Sequence, residues 1–338
     1  MSRTRAAVVG LGYWGPNLAS NFQASADFEL VGLCDQNTQR LSKLADTYPT
    51  AKGYGTIEEM IKEAKPEIIA IATPVGSHYA LAKAALEGGC HVLCEKPLAS
   101  TVKEAEELCA LAEKKGKKLL VDHTFTYTGA VRRIKELYAN GTLGNLFYVD
   151  SVRINLGLFQ PDVDVIWDLA PHDLSILNFV IGKRVKSVQA SGAAHNPRGL
   201  ADVAYVGLDY GDGLIAYLHL SWLSPVKVRR MIFSGTQSSL IYDDLEMSEK
   251  IKIYDHGVSF DVSDLEARKQ VLVNYRRGDM RAPALDNREA LGVEFKEIAG
   301  ALAGRPSTVT TGVDGLDVVR VLEAAERSLK EDGKRIQL

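Results

Sequence analysis

Ala6-Ala-Val-Val-Gly10-Leu-Gly12-Tyr13-Trp14-Gly15, read with Asp35 twenty residues further on, decides the fold. A short, unbroken apolar run that stops at glycine reads as a strand buried on both faces. Asn17–Ala24 then carries a helix-compatible pattern, and a second apolar run, Leu30–Cys34, ends at Asp35. Three glycines spaced G-x-G-x-x-G are weak evidence alone. With a strand before, a helix after and an acid at this distance they become specific for a dinucleotide site. The first glycines let the backbone turn tightly and approach a pyrophosphate, whose charge rests on the amides and positive dipole of the helix start. Asp35 would accept hydrogen bonds from the adenosine ribose and repel a 2′-phosphate, and no arginine follows in Gln36-Asn37-Thr38. The expected cofactor is therefore NAD(H) rather than NADP(H), with Gly10, Gly12, Tyr13, Trp14, Gly15 and Asp35 around it.

The alternation continues outward from that unit. Thr56-Ile-Glu-Glu59 is a capping box opening a helix through Glu63, and Ile68–Ala72 is a further buried strand ending in the turn Thr73-Pro74. A helix from Tyr79 to Glu87 closes on Gly88-Gly89, and the strand His91–Cys94 runs into Glu95-Lys96-Pro97. A helix from Val102 to Lys115, boxed by Thr101 and Glu104, leads to the strand Leu119–Asp122. Thr73, Pro74, His78, Glu95 and Lys96 thus fall at or near the carboxyl edge of an α/β sheet, where such sheets bind ligands.

After His123 the pattern changes to runs of strands: Leu146–Asn155, Val185–Ser191, Val203–Tyr210, Leu214–Leu223, Lys227–Ser234 and Lys252–Tyr254. Helical patterns are few: Ala130–Asn140, one after Pro171, Arg288–Leu302 and Asp314–Lys330. The chain therefore reads as a dinucleotide-binding Rossmann domain over residues 1–122 and an α+β domain over 123–338. In the strand after Leu146, Ser151, Arg153 and Asn155 alternate with Val152 and Ile154, so one face should pack on helices while the polar one meets substrate or a second subunit. Residues 243–285 are the least legible.

Two stretches carry the chemistry. Lys96 stands at the carboxyl end of a buried strand, and Asp168-Leu-Ala-Pro-His172 spaces an acid and a histidine four apart, on one side of a helical turn. Facing one cleft, the three would make a proton-transfer site. An imidazole, with an ordinary pKa near about 6.5, suits a general base that removes a hydroxyl proton as hydride leaves the same carbon. Lys96 would stabilise the developing alkoxide, Asp168 would orient the imidazole or bind a neighbouring hydroxyl, and Glu95 would contact the nicotinamide-side ribose. Asp168 also reads as a simple helix N-cap, and His172 as a core histidine. His123, Arg153, Asn155 and Trp167 are the remaining candidate substrate contacts.

Composition narrows the field. A net charge of −3 over 338 residues, with no basic stripe punctuated by aromatics, argues against nucleic acid or an anionic membrane as partner. No apolar stretch approaches the roughly 20 residues that span a bilayer, and the apolar start is broken by Gly12, Trp14 and Pro16, so neither a span nor targeting is expected. The four cysteines (34, 90, 94 and 109) lack zinc spacing and read as reduced, buried hydrophobes of a cytoplasmic protein. No metal site is expected.

The GLGYWG, ATP, HVLCEKP and DLAPHD motifs at 10–15, 72–74, 91–97 and 168–173 together resemble the glucose–fructose oxidoreductase/inositol dehydrogenase (Gfo/Idh/MocA) family over nearly the whole chain. The resemblance implies an NAD(P)-binding domain, a second domain on a large open, mostly antiparallel sheet, and pairing into homodimers or homotetramers. It places the catalytic trio on Lys96, Asp168 and His172. Ala170 and Pro171 stand where members often carry glycine, and proline fits if it lies in the first turn of its helix. The wording most resembles members that oxidise a nucleotide sugar at C3. A dehydrogenase of inositol or a free sugar, a ketosugar reductase, and a cofactor-binding sensor or scaffold are the other readings.

Overall fold

The computed structural model describes residues 3–157, 159–160, 162–255, 257–260, 273–276 and 278–338, with the backbone alone for 257–260 and 273–276. Part of the illegible 243–285 stretch lies outside the described residues. The chain forms two compact units, residues 1–128 with 288–320, and residues 129–287 with 321–338.

The first unit begins with β1 (Thr4–Val9), α1 (Gly15–Ala24), β2 (Phe28–Cys34), α2 (Thr38–Thr47), β3 (Lys52–Tyr54) and α3 (Ile57–Ala64). It continues through β4 (Ile68–Ile71), α4 (His78–Glu87), β5 (His91–Glu95), α5 (Val102–Lys115) and β6 (Leu119–Asp122). The six strands are parallel in the order β3-β2-β1-β4-β5-β6, a doubly wound sheet whose strand order reverses between β1 and β4. Both capping boxes open their helices as read: Thr56 accepts the Glu59 N–H and Thr101 the Glu104 N–H. Gly116, at φ +62°, stops α5. Neither α2 nor the three-residue β3 stood out in the sequence.

The second unit contains α6 (Gly129–Ala139), β7 (Leu146–Leu156), α7 (Val165–Ile181), β8 (Ser187–Ala193), β9 (Val203–Gly211), β10 (Leu214–Ser221), β11 (Leu223–Gly235), β12 (Ser239–Asp243) and β13 (Ile251–Tyr254). A separate backbone hairpin joins β14 (Gly257–Phe260) to β15 (Val273–Arg276), and β16 (Met280–Arg281) follows. The remaining elements are α8 (Ala290–Leu302), α9 (Gly312–Lys330) and β17 (Ile336–Gln337). Nine strands form one open sheet, β16-β13-β12-β11-β7-β10-β9-β8-β17, in which the described pairings are antiparallel except that of β7 with β10.

Three sequence expectations are corrected. Residues 288–320 fold with the first unit, although 123–338 read as one domain. The apolar face of α8 (Leu291, Phe295, Ile298) joins the core built on Ala6, Leu18, Phe22 and Phe28, and the rings of Phe22, Phe28 and Phe295 meet edge to face, Phe22 to Phe295 at 4.6 Å. Amphipathic periodicity shows that a helix buries a face but not which sheet it covers.

On β7 the buried face is Val149, Ser151 and Arg153, while Val152 and Ile154 are half-exposed. The burial of Arg153 is compensated by the carboxylate of Asp173. Finally, α7 starts at Val165, capped by Asp164, whose carboxylate accepts the Ile166 and Trp167 N–H groups. Asp168 is therefore not the N-cap, and Pro171 lies in the second turn rather than the first, where its missing N–H costs the Trp167 carbonyl its helical partner.

Candidate active site

The registers of the first sheet set its carboxyl edge. Val9 pairs with Ile71, Ile71 with Cys94 and Cys94 with Val121, so β1, β4, β5 and β6 end together. The residues just past those ends, Gly10, Thr73, Lys96 and His123, consequently share one edge, with Glu95 and Asp122 paired on the strands themselves.

Each glycine of the loop serves differently. Gly10 has φ +88°, and a Cβ there would stand 2.7 Å from the Ala72 carbonyl; a Cβ on Gly15 would strike the Gly10 carbonyl oxygen at 1.9 Å. Gly12 is open: the nearest atom to a Cβ there is the Arg40 Nη1, at 3.9 Å. The backbone at Gly12 is thus bare for lack of a side chain rather than for lack of space, as a loop must be to receive a pyrophosphate. The Asp35 carboxylate accepts the Leu11 N–H at 2.6 Å and the Asn37 N–H at 2.7 Å, which anchors its charge beside the loop. Arg40 went unnoticed because it lies beyond the residues next to Asp35 and comes beside the loop only through the first turn of α2.

The Trp14 indole donates to Asp122 at 3.0 Å, while Tyr13 stands 94% exposed and stacked on it. His78 is buried, its ring nitrogens 2.8 Å from the Pro97 and Thr73 carbonyl oxygens. It braces the turns after β4 and β5 against each other and so supports Thr73, Pro74 and Lys96 rather than facing outward. Burial lowers its pKa, and the two carbonyls oppose that shift.

Below the edge lies a set of buried acids. Glu95 accepts the Lys96 N–H on one oxygen and is buried within hydrogen-bonding reach of Asp122. Burial raises its pKa well above the usual range, and the Asp122 charge adds to the effect. Glu294 of α8, fully buried and within hydrogen-bonding reach of Asp122, is raised likewise, by burial first and Asp122 second. His123 is 1% exposed with neither ring nitrogen hydrogen-bonded in the described structure, and burial pushes it down to about 4, so it stays neutral at physiological pH. Glu294 was invisible in the sequence, being one acid on an otherwise ordinary amphipathic helix.

In the second unit Asp168 and His172 both lie on α7, one turn apart. The Trp222 indole donates to Asp168 Oδ2 at 3.0 Å. Trp167, 7% exposed, donates its indole N–H to Glu326 at 3.2 Å, which ties α7 to α9. The Arg153 guanidinium is committed to Asp173 Oδ1, at 2.8 Å from Nε and 2.6 Å from Nη2, and both residues are buried. Asn155, half-buried, is near the end of β7. Lys96 belongs to the first unit, and Asp168 and His172 to the second.

Comparison with known proteins agrees with this architecture. Residues 4–123 match an oxidoreductase family described as an NAD-binding Rossmann fold, and residues 131–241 match the Gfo/Idh/MocA C-terminal domain. The chain belongs to the Gfo/Idh/MocA family. It is accordingly an oxidoreductase, and its first unit is an NAD-binding fold, which the open loop at Gly12 fits. Among relatives, a D-glucoside 3-dehydrogenase of Escherichia coli is 32% identical over 56% of this chain and 57% of its own length, so this chain matches little more than half of that protein. A UDP-N-acetylglucosamine 3-dehydrogenase of Acidithiobacillus ferrooxidans is 26% identical over 96% of each chain. A crystal form of the latter superposes with a TM-score of 0.82, covering 98% of this chain and 99% of that one at 24% identity, a likeness of fold.

Proposed function

We propose that this protein is an NAD-dependent dehydrogenase that oxidises a ring secondary alcohol, the C3 hydroxyl of a sugar or nucleotide sugar. The observation that carries the proposal is the shared carboxyl edge of β1, β4 and β5, which aligns the open glycine loop, the Thr73 turn and Lys96 along one line. Both relatives described above act at C3 of a sugar, which supports the choice of position.

NAD, when bound, supplies the hydride acceptor. Gly10, Gly12 and Gly15 would hold its pyrophosphate, Asp35 its adenosine ribose, and Tyr13, Trp14, Thr73, Pro74 and Glu95 would border it. His172 takes the hydroxyl proton, Asp168 orients that imidazole or a neighbouring sugar hydroxyl, and the Lys96 ammonium stabilises charge on the substrate oxygen. Asp35 favours NAD over NADP. Because Arg153, Trp167 and His123 are buried, and the first two are bonded to neighbouring carboxylates, Asn155 is left as the candidate among these for contact with substrate.

We further propose that two or four copies assemble through the open face of the large sheet. Tyr148, Tyr205, Ile215 and Tyr217 are exposed there on adjacent strands. The four free thiols, three of them buried, fit a reducing, cytoplasmic setting. No helix of the described residues is long and apolar enough to cross a membrane.

Screening NADH formation against UDP-sugars, glucosides, free sugars and inositols tests the function. Turnover confined to inositols would replace the substrate class, and cofactor binding without turnover on any of them would favour a sensor. Tighter binding of NADPH than NADH would contradict the role of Asp35.

A further inference from the structure

Trp222 follows β10 and is 1% exposed, and its surroundings determine where its indole points. The backbone N–H donates to the Asp202 carbonyl at 3.0 Å, and its carbonyl accepts the Gly157 N–H at 2.9 Å. A Cβ on Gly157 would stand 2.7 Å from the indole Cδ1, so only glycine lets the ring lie against the end of β7. Phe159 covers the ring at 5.4 Å between centroids. Asp202, fully buried, gathers the His195 N–H, the His195 Nδ1 and the Asn196 side-chain N–H on its carboxylate, which folds the connection between β8 and β9 onto the same spot.

We propose that Trp222 is a positioning residue of the reaction, whose indole N–H fixes one oxygen of Asp168 and leaves the other to His172 or to a sugar hydroxyl. The proposal rests on the reading of Asp168 as part of the active site. An indole suits the task because it donates and never accepts, so it cannot compete with the carboxylate for the imidazole proton.

Trp222→Phe keeps an aromatic side chain, smaller than the indole, and removes the N–H. With the sugar that supports NADH formation in the screen above, kcat is expected to fall about 10- to 100-fold, the range for a hydrogen bond to a charged group. NADH affinity should hold, while the thermal midpoint falls by the few degrees that a smaller buried ring costs. In an Asp168→Ala background the same change should cost less than about twofold, because the partner is already gone. A second readout needs no substrate: the Trp222 indole N–H resonance should shift on Asp168→Ala. Equal losses in both backgrounds, an unaltered kcat in Trp222→Phe, or an indole resonance that stays in place would each overturn the proposal. If Asp168→Ala itself keeps turnover within about tenfold of wild type, below what loss of such a group costs, the active-site assignment falls and this proposal with it.

Discussion

Charged groups buried in the two units are compensated to different degrees, although in the second unit Asp173 Oδ2, Ser151 Oγ and the Tyr210 hydroxyl also lack a hydrogen-bond partner among the described residues. In the second, Arg153 and Asp173 are both buried and bound to each other through two short hydrogen bonds, and the fully buried Asp202 collects three donors. In the first, at the carboxyl edge of the parallel sheet, Glu95 and Glu294 are buried acid against acid around Asp122, and neither ring nitrogen of His123 has a hydrogen-bond partner among the described residues. Compensated groups hold a fold together. Uncompensated ones cost stability, and proteins retain them mainly where chemistry needs them. The contrast separates Arg153, which reads as structural once its partner is seen, from the edge beside Lys96.

Breaking the compensated pair should have the largest effect. Arg153→Ala leaves Asp173 buried and unmatched, and chemical denaturation should show a loss of about 3–5 kcal/mol. Replacing both, as Arg153→Met with Asp173→Leu, should restore most of it. A double variant as unstable as the single would mean that the pair does more than cancel charge.

At the edge, Lys96→Ala should lower kcat about 100-fold or more with the thermal midpoint unchanged, since the group acts on the reacting oxygen rather than on the fold. A comparable kcat in that variant would remove Lys96 from the chemistry. Gly12→Ala sharpens the point at the other end of the edge. A methyl group fits there without a clash, so the melting temperature should hold while NADH affinity, measured by fluorescence titration, falls about tenfold or more if the pyrophosphate needs that space. Gly15→Ala, by contrast, meets the Gly10 carbonyl and should lose both.

The smallest expected effect concerns Glu294. Its carboxyl pKa is raised in the folded state, so the stability that goes with the protonated form is fully present below the unfolded carboxylate pKa, near about 4.3, and is lost as pH rises through the folded value. Glu294→Gln imitates the neutral acid. Its melting temperature should exceed wild type by a margin that grows with pH. An equal pH dependence in the two proteins would show that Glu294 is not a source of that loss.

The first unit was largely legible because each of its signals is local: buried strands stop at glycine or proline, helices open on capping boxes, and the loop glycines are spaced by the turn they make. What the sequence hid are relations across the fold. Nothing near Glu294 says that it comes under Asp122, and nothing near Trp222 says that its indole finds Asp168. The alternation of β7 points the wrong face inward, because Arg153 looks polar until Asp173 neutralises it. Pro171 suggests the first turn of α7, while the cap at Asp164 lies seven residues earlier.

The most direct test of the whole account is isotopic. Sugars and nucleotide sugars carrying deuterium at C3 are incubated with the protein and NAD, and the NADH formed is weighed by mass spectrometry. The account predicts NADH heavier by one mass unit, made at a rate that Lys96→Ala and His172→Ala each depress about 100-fold or more. Unlabelled NADH, or labelled NADH formed equally fast by either variant, would contradict it.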